Sequence, residues 1–297
     1  MNKNRFFLFL MMCLPLLTSC SDDGGDVIDD PEGYRGERVA VAFSSPEIAM
    51  LTRATDVAFE ANDTINISVV NLIESPDSTL QSQNYADGVR YVSNGSDFSE
   101  VSDTIYQYKN VPLNLVYYAL YPHRQDCAPV FTFAVNADQS THAGYSLSDL
   151  AMQKVASKNL SIELSLVHKL CKVEIVLTGS NLDAKTISQP RLVNMCYSVQ
   201  VDQSAQTVTT HATQAADTLS AISAQEISRT NTEYRFHAIV APQQLKAGQH
   251  FVTVDVDGVE RPLKAAADVT LTSGNKYVYT YNLDNLSAAR GVAVTEF

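Results

Sequence analysis

Short stretches in which apolar and polar residues alternate recur along the chain, and they predict an almost entirely β protein. In the first stretch, residues 38–43, Val39, Val41 and Phe43 fall on one face, as in a half-buried strand. Further strand-like runs are separated by Asn, Asp, Gly and Pro residues; they cover 64–70, 88–92, 113–121, 130–135, 161–166, 172–177, 234–240 and 276–283. Many short strands at regular spacing, with almost no helix, predict β-sandwich or β-barrel domains.

Two pairs of runs predict hairpins, and one segment predicts a helix. Residues 251–256 and 259–263 flank Asp257-Gly258, a dipeptide that favours a two-residue turn. Residues 195–201 and 206–210 flank Asp202-Gln203 in the same way. The helical pattern has Ser148 as its N-cap and covers Asp149 to Ala156.

The beginning of the chain has the pattern of a secretory signal. Lys3 and Arg5 precede an apolar run, residues 6–17, which is shorter than the roughly 20 residues of a membrane span. The letters LTSC that end at Cys20 resemble the bacterial lipobox, which implies a lipoprotein signal peptide over 1–19 and a lipid on Cys20. Acyl chains at about 0.8 kcal/mol per methylene would anchor the protein to the membrane. An ordinary cleaved signal with a chance cysteine is the alternative.

Residues 20–36 are acidic and nearly devoid of large apolar residues, which predicts a solvated tether. The Ser21-Asp22-Asp23 sequence directly after Cys20 resembles the surface-export signal of Bacteroidota lipoproteins. Together these features predict an outer membrane lipoprotein displayed at the cell surface.

Composition narrows the classes of partner and site. The net charge of −12 and the absence of a basic stripe argue against nucleic acid as a partner. The chain of 297 residues suits two domains. Once Cys13 and Cys20 are set aside, Cys127, Cys171 and Cys196 remain without metal-ligand spacing, so we expect buried thiols rather than disulfides.

Catalytic and metal-binding motifs are missing from the sequence. The six histidines are scattered without an HExxH pattern, and neither a G-x-S-x-G elbow nor a P-loop occurs. His168 lies among leucines and is predicted to be structural. We therefore expect no catalytic residue, no metal and no cofactor.

A series of short motifs resembles one protein family. These motifs are the Thr52-Arg53-Ala54-Thr55 segment, Phe59 before the Asn62-Asp63 turn, the aromatic strand that ends in Tyr121-Pro122, and residues 166–170, 240–243 and 271–279. In this order they resemble the fimbrillin-like proteins of Bacteroidota, which include type V pilins and related major and minor fimbrial subunits. One departure is Phe59, where tryptophan is common.

The resemblance implies two transthyretin-like, Greek-key β-sandwich domains in tandem, over residues 37–158 and 159–297, with the short helix near their boundary. It further implies a structural subunit of a cell-surface fimbria that supports adhesion. Its partners would be other fimbrial subunits, in a homo- or heteropolymer.

In this family the first strand after the tether is removable. An arginine-specific maturation protease cuts the loop behind that strand, and a strand from another subunit fills the groove. The resemblance implies cleavage at Arg53, although a plain solvated loop arginine is the alternative; Arg35 and Arg38 precede the strand. Losing Val39, Val41 and Phe43, at about 1.5–3 kcal/mol each, would leave an apolar slot and open sheet edges that strand addition repairs.

The predicted donor strand covers residues 292–297. Val292 and Val294 would fill the groove, whereas Phe297 has the opposite parity and would need a twist or a bulge. Alternatively the segment stays in its own sheet, which favours an anchor or tip role. A further alternative is a surface lipoprotein that binds a glycan or a protein partner without polymerising.

Overall fold

Strands make up nearly all the regular structure in the computed structural model, which describes residues 36–45, 59–126, 128–210, 221–285 and 290–297. The all-β sandwich fold predicted from the sequence is thereby confirmed. The first strands are β1 Arg38–Ala40, β2 Ala42–Ser44, β3 Ala61–Asn71, β4 Ala86–Asn94, β5 Asp97–Glu100, β6 Tyr106–Tyr108, β7 Leu115–Tyr121, β8 Val130–Ala134, β9 Ala151–Ser157, β10 Ser161–Glu163 and β11 Val167–His168.

Most of these strands form one eight-stranded sheet, in the order β10-β2-β5-β4-β3-β7-β9-β11. Its central strands β3 and β7 are largely buried on both faces, because the sheet is covered on both sides. One face packs into the first core, which includes Phe43, Ile65, Ile67, Tyr91, Phe98, Ile105, Tyr117, Ile162 and Leu164. The other face carries a smaller cluster of Val70, Leu80, Val116 and Tyr118.

The second half of the described chain begins with the long buried strand β12 Cys171–Thr178. It continues with β13 Arg191–Leu192, β14 Ser198–Asp202, β15 Thr207–Thr210, β16 Ile222–Ser223, β17 Gln225–Arg229, β18 Glu233–Val240, β19 Gln243–Leu245, β20 His250–Val256, β21 Val259–Lys264, β22 Val269–Leu271, β23 Asn275–Asn282 and β24 Arg290–Glu296. A five-stranded sheet has the order β17-β18-β12-β23-β24, and a four-stranded sheet has the order β16-β13-β20-β21.

A second core lies between these sheets and includes Ile175, Leu177, Phe236, Phe251, Val252, Tyr277 and Tyr279. The chain crosses between the two cores more than once. Phe131 and Phe133 of β8 pack into the second core, and β8 pairs with β14. Conversely, β10 pairs with β2, and Ile162 packs into the first core. The domain division at 158/159 stays a prediction.

Both predicted hairpins form. Asp257 and Gly258 have φ of 54° and 77°, the left-handed conformations that a two-residue turn of this kind requires, and they join β20 to β21. The other hairpin pairs β14 with β15, but its turn covers residues 203–206 rather than Asp202-Gln203, because Asp202 is itself paired with Thr207.

The predicted helix over Asp149 to Ala156 is wrong. Most of that segment is strand β9, which pairs with β7 along its whole length and with β11 on its other side. Two partner strands therefore outweigh a weak helix propensity. The α-helix near this point, α1 His142–Ser146, lies earlier and has Thr141 as its N-cap. Among the described residues, no helix is long and apolar enough to cross a membrane.

Candidate strand-exchange site

The predicted first strand is split between two sheets. β1 pairs with β6, whereas β2 lies between β5 and β10, antiparallel to β5 and parallel to β10. The change of partner occurs at Val41, whose N–H donates to the Ile105 carbonyl at 2.8 Å. On the β10 side, the Ala42 N–H donates to Leu160 at 2.8 Å, and Ser44 accepts from the Leu164 N–H at 2.7 Å. Removing residues 38–44 would leave three strands, β5, β6 and β10, each without one hydrogen-bonded neighbour.

Side chains of the first strand also fill the first core. Val41 is 4% exposed and Phe43 is 2% exposed, while Val39 is half-buried. The Phe43 ring meets the rings of Tyr91 and Tyr117 edge to face, with centroid distances of 5.0 and 5.9 Å. We call this space between Tyr91 and Tyr117 the Phe43 pocket. Burial raises the pKa of both tyrosines, so both hydroxyls stay neutral.

Phe59, the first described residue after 46–58, packs against two aromatic rings. The Phe59 ring contacts Phe98 and Tyr121 edge to face, at centroid distances of 4.9 and 5.7 Å. Phe98 is also the residue that pairs with Phe43 across β2 and β5. Phe43 and Phe59 therefore both contact the same residue of β5. Arg53 falls in segment 46–58, outside the described residues, and Cys20 also lies outside them.

Polar contacts hold the first turn after Phe59. The Glu60 N–H donates to Asp63 Oδ2 at 2.7 Å, and the Tyr121 hydroxyl donates to Asp63 Oδ1 at 3.1 Å. Burial raises the pKa of the Asp63 carboxyl. These contacts are independent of residues 36–45. The body of the protein from Phe59 onward is thus held by its own interactions.

The predicted donor residues lie in β24, which is an edge strand among the described residues and pairs only with β23. Val292 and Val294 pair with Tyr279 and Tyr277, both of which face the second core. Val292 packs against that core, but Val294 is 53% exposed. β24 is therefore much less buried than β2. In this structure the segment pairs within its own sheet.

Phe297 is held by contacts outside the strand. Its ring stacks on the His168 ring at a centroid distance of 3.9 Å, and the Lys172 ammonium lies 5.6 Å from it. His168 Nδ1 lies 2.8 Å from Asp149 Oδ1, which orients the imidazole. The structural role predicted for His168 is consistent with this contact. No pattern in the sequence indicated that its partner would be Phe297.

Asp284 fixes the chain just before the segment that leads to β24. Its carboxylate accepts from the Ser180 N–H at 2.6 Å, from the Ser180 hydroxyl at 2.8 Å and from Lys185 Nζ at 2.8 Å. The Lys185 and Ser180 hydrogen bonds lower the pKa of Asp284 to about 2. Asp284 thus ties the chain to Ser180 and Lys185 shortly before β24.

An Asp284→Asn substitution is expected to lower the Tm at pH 7, because it removes the ion pair with Lys185. The folded-state pKa lies below the ordinary aspartate value of about 3.9, so the carboxylate stabilises the fold above about pH 4. That contribution is lost as the pH falls through about 2. The Tm difference between the wild type and the variant should therefore shrink between pH 4 and pH 2. A Tm difference that stays constant over this pH range would contradict a stabilising role for the Asp284 carboxylate.

Neither metal-binding groups nor thiols form a site among the described side chains of the fold. No group of three or more His, Cys, Asp or Glu side chains within it is arranged to hold a metal ion. Cys171 is a buried free thiol, and burial raises its pKa to about 12; Cys196 is a half-buried free thiol. Cys127 lies outside the described residues.

Sequence reasoning found the strand but not its surroundings. The Tyr91 and Tyr117 rings that form the Phe43 pocket come from β4 and β7, and the flanking strand β10 follows much later in the chain. Phe59 belongs to a family motif, but the sequence did not predict its contacts. The only available signal for these partners was that each belongs to an aromatic or alternating run.

Comparisons with known proteins agree with the fold of the chain. A family described as fimbrillin-like matches residues 52–296. Two solved structures of candidate cell adhesion proteins have similar folds. One, from Bacteroides uniformis, has 19% identity and a TM-score of 0.63, covering 87% of this chain and 98% of that one. The other, from Bacteroides ovatus, has 15% identity and a TM-score of 0.61, covering 89% and 97%. No curated protein has a significantly similar sequence.

Proposed function

The chain belongs to the fimbrillin-like family, and we propose from this that it is a structural subunit of a cell-surface fimbria that supports adhesion. Its partners are other fimbrial subunits, in a homo- or heteropolymer. No catalytic role is proposed. The subunit assembles when its first strand is removed and a strand from a neighbouring subunit takes that place.

The position of β2 is the observation that carries this proposal. β2 has a hydrogen-bonded neighbour on each side, and Val41 and Phe43 are buried in the first core. The body beginning at Phe59 has its own aromatic and polar anchors. Loss of residues 36–45 would thus create a deep groove in a body that keeps most of its contacts. An extended chain that offers alternating apolar side chains can fill such a groove by strand addition.

Export and processing complete the proposal. Cys20 carries the lipid that anchors the precursor to the outer membrane, at the cell surface. An arginine-specific protease then cuts at Arg53, behind the first strand, and releases it. The supporting sequence features are the LTSC segment, the acidic stretch that follows, and the position of Arg53 between Phe43 and Phe59.

Limited digestion of the lipid-free protein, produced from residue 21 onward, tests the proposal. We expect a trypsin-like protease to cut after Arg53 and to give ladders of high-molecular-weight species on denaturing gels. The Arg53→Ala variant should remain monomeric under the same conditions. Arg35→Ala is the matched control and should assemble like the wild type, because Arg35 precedes the strand.

Two results would argue against strand release. Assembly by a protein that is not cut at Arg53 would exclude cleavage as the trigger. A protein that is fully cut at Arg53 and still remains monomeric would favour the alternatives. These are a fimbrial anchor or tip subunit, or a surface lipoprotein that binds a glycan or a protein partner without polymerising.

A further inference from the structure

The connection between β3 and β4, residues 72–85, is long and contains neither a helix nor a strand. Irregular loops of this length are uncommon in compact domains, and those that are ordered usually have a function. This loop is anchored to the sheet. Leu80 is buried in the smaller cluster on one face of the eight-stranded sheet, and the Tyr118 hydroxyl donates to the Ser78 carbonyl.

Hydrogen bonds within the loop fix its two turns. Asp77 Oδ1 accepts from the Thr79 N–H at 3.2 Å. In the second turn, Asn84 Oδ1 accepts from the Gln81 N–H at 2.9 Å, and Asn84 Nδ2 donates to Asp87 Oδ1 at 2.5 Å. Side chains that bond to the nearby backbone in this way hold a turn without help from a sheet or helix. The loop is therefore pre-organised.

An open cleft lies between this loop and the end of β3, with Val70 in its wall. Its space amounts to about 250 Å³. Pockets for drug-sized ligands measure about 300–1,000 Å³, so the cleft has room for one small ring rather than for a larger ligand. The side chains that give it its polar character are those of Asn71, Glu74, Gln81, Gln83, Asn84 and Tyr85.

Three side chains of the cleft are not used by the fold. Glu74, Gln81 and Gln83 are exposed, and their side chains make no hydrogen bond or ion pair to any residue that the structure describes. By contrast, the Asn84 amide is committed to the second turn. One carboxylate and two amides thus converge on the cleft with their hydrogen-bonding capacity open to a ligand.

The chemistry of the lining selects the class of ligand. Glu74 is the only charged lining residue, so an anion would be repelled, and a single carboxylate is too few ligands for a metal ion. The lining offers little apolar surface to a hydrophobic ligand. Amides both donate and accept hydrogen bonds, and a carboxylate accepts them, which matches the hydroxyl groups of a sugar.

Tyr85 adds an apolar surface to these polar groups. Its ring is half-buried, and its hydroxyl donates to the Tyr106 carbonyl at 3.1 Å, which fixes the ring at the side of the cleft. An aromatic ring held by its polar end presents carbon atoms for packing. The C–H groups of a sugar ring have the same apolar character, so Tyr85 complements the amides and the carboxylate.

We propose that this cleft binds one unit of a neutral carbohydrate. Glu74, Gln81 and Gln83 bond its hydroxyl groups, and the Tyr85 ring packs against its carbon atoms. The use of such a site in adhesion rests on the proposed function. The binding itself requires only one folded subunit, because all the lining residues belong to the same chain.

Saturation-transfer NMR of the lipid-free chain from residue 21 tests the proposal with the methyl glycosides of glucose, galactose, mannose, fucose and N-acetylglucosamine. At least one should bind with a Kd of about 1 mM, as expected for a ligand of this size. The triple variant Glu74→Gln, Gln81→Ala, Gln83→Ala should weaken binding by about tenfold or more and leave the Tm unchanged. Gln244→Ala, which alters an exposed glutamine outside the cleft, should bind like the wild type.

Glucuronic acid tests the role of charge. It should bind more weakly than methyl glucoside, and the single variant Glu74→Gln should narrow that difference. Stronger binding of the acid than of any neutral sugar would overturn the proposal. So would the absence of binding by all five glycosides at about 20 mM, or equal binding by the wild type and the triple variant. Assembly after cleavage at Arg53 is measured separately, so a failure here leaves strand exchange standing, and a failure of assembly leaves the carbohydrate site standing.

Discussion

Replacing Phe43 with alanine is expected to lower the free energy of unfolding by about 3–5 kcal/mol, the range for large-to-small changes of buried aromatic residues. Phe43 is almost fully buried and contacts the Tyr91 and Tyr117 rings. These rings come from β4 and β7, which have partner strands on both sides and cannot easily collapse into the space. The pocket should therefore remain as a cavity. Urea or guanidinium unfolding of the uncut protein measures the change.

Ala42→Ser is the matched control, because Ala42 is on the same strand but faces solvent. Its expected effect is within about 0.5 kcal/mol. If Phe43→Ala cost less than about 1 kcal/mol, the ring would contribute little to the first core. In that case the packing of the first strand would not be strong enough to make its replacement a driving force for assembly.

A second large loss of stability is expected from changes around Glu174, a buried carboxylate in the five-stranded sheet. Its side chain is 6% exposed; Arg235 Nη1 lies 2.6 Å from Glu174 Oε1, and Lys276 Nζ lies 3.6 Å from Glu174 Oε2. Changing Arg235→Met and Lys276→Met together keeps the apolar stems but leaves the carboxylate without its cations. Breaking a fully buried ion pair costs about 3–5 kcal/mol; because the Arg235 and Lys276 side chains are 39% and 28% exposed, we expect a loss toward the lower end of this range. Denaturant unfolding of the double variant measures this loss.

Adding Glu174→Gln to the double variant should restore most of the lost stability, because a neutral amide has no uncompensated charge. Lys246→Met is the control at the surface. The Lys246–Asp268 pair is largely exposed at 3.0 Å, so its loss should cost less than about 1 kcal/mol. If the double variant were as stable as this control, solvent rather than the two cations would be compensating the negative charge of Glu174.

The sequence predicted the β class and most of the long strands, because their alternation or continuous apolar character reflects burial within a sheet. The runs at 64–70, 172–177 and 234–240 all lie within β3, β12 and β18. Short strands such as β5 and β6 carry too few residues for a pattern. The segment Ala151–Ser157 shows the limit of local reasoning: its residues tolerate a helix, and only pairing with β7 and β11 makes it a strand.

The candidate site was predictable only in part. Val41 and Phe43 are buried as the alternation predicted, because parity alone determines which residues of a strand share a face. The change of partner strand at Val41 and the parallel pairing with β10 arise from contacts between distant segments. Sequence spacing carries no information about such contacts. The stacking of Phe297 on His168 was unpredictable for the same reason.

The mass of the subunits recovered from assembled fibres tests the exchange of the first strand most directly. The proposal predicts that these subunits begin at Ala54 and lack residues 36–45, while residues 292–297 are retained. Fibres whose subunits still contain Val39, Val41 and Phe43 would contradict it, because the groove would never have been vacated.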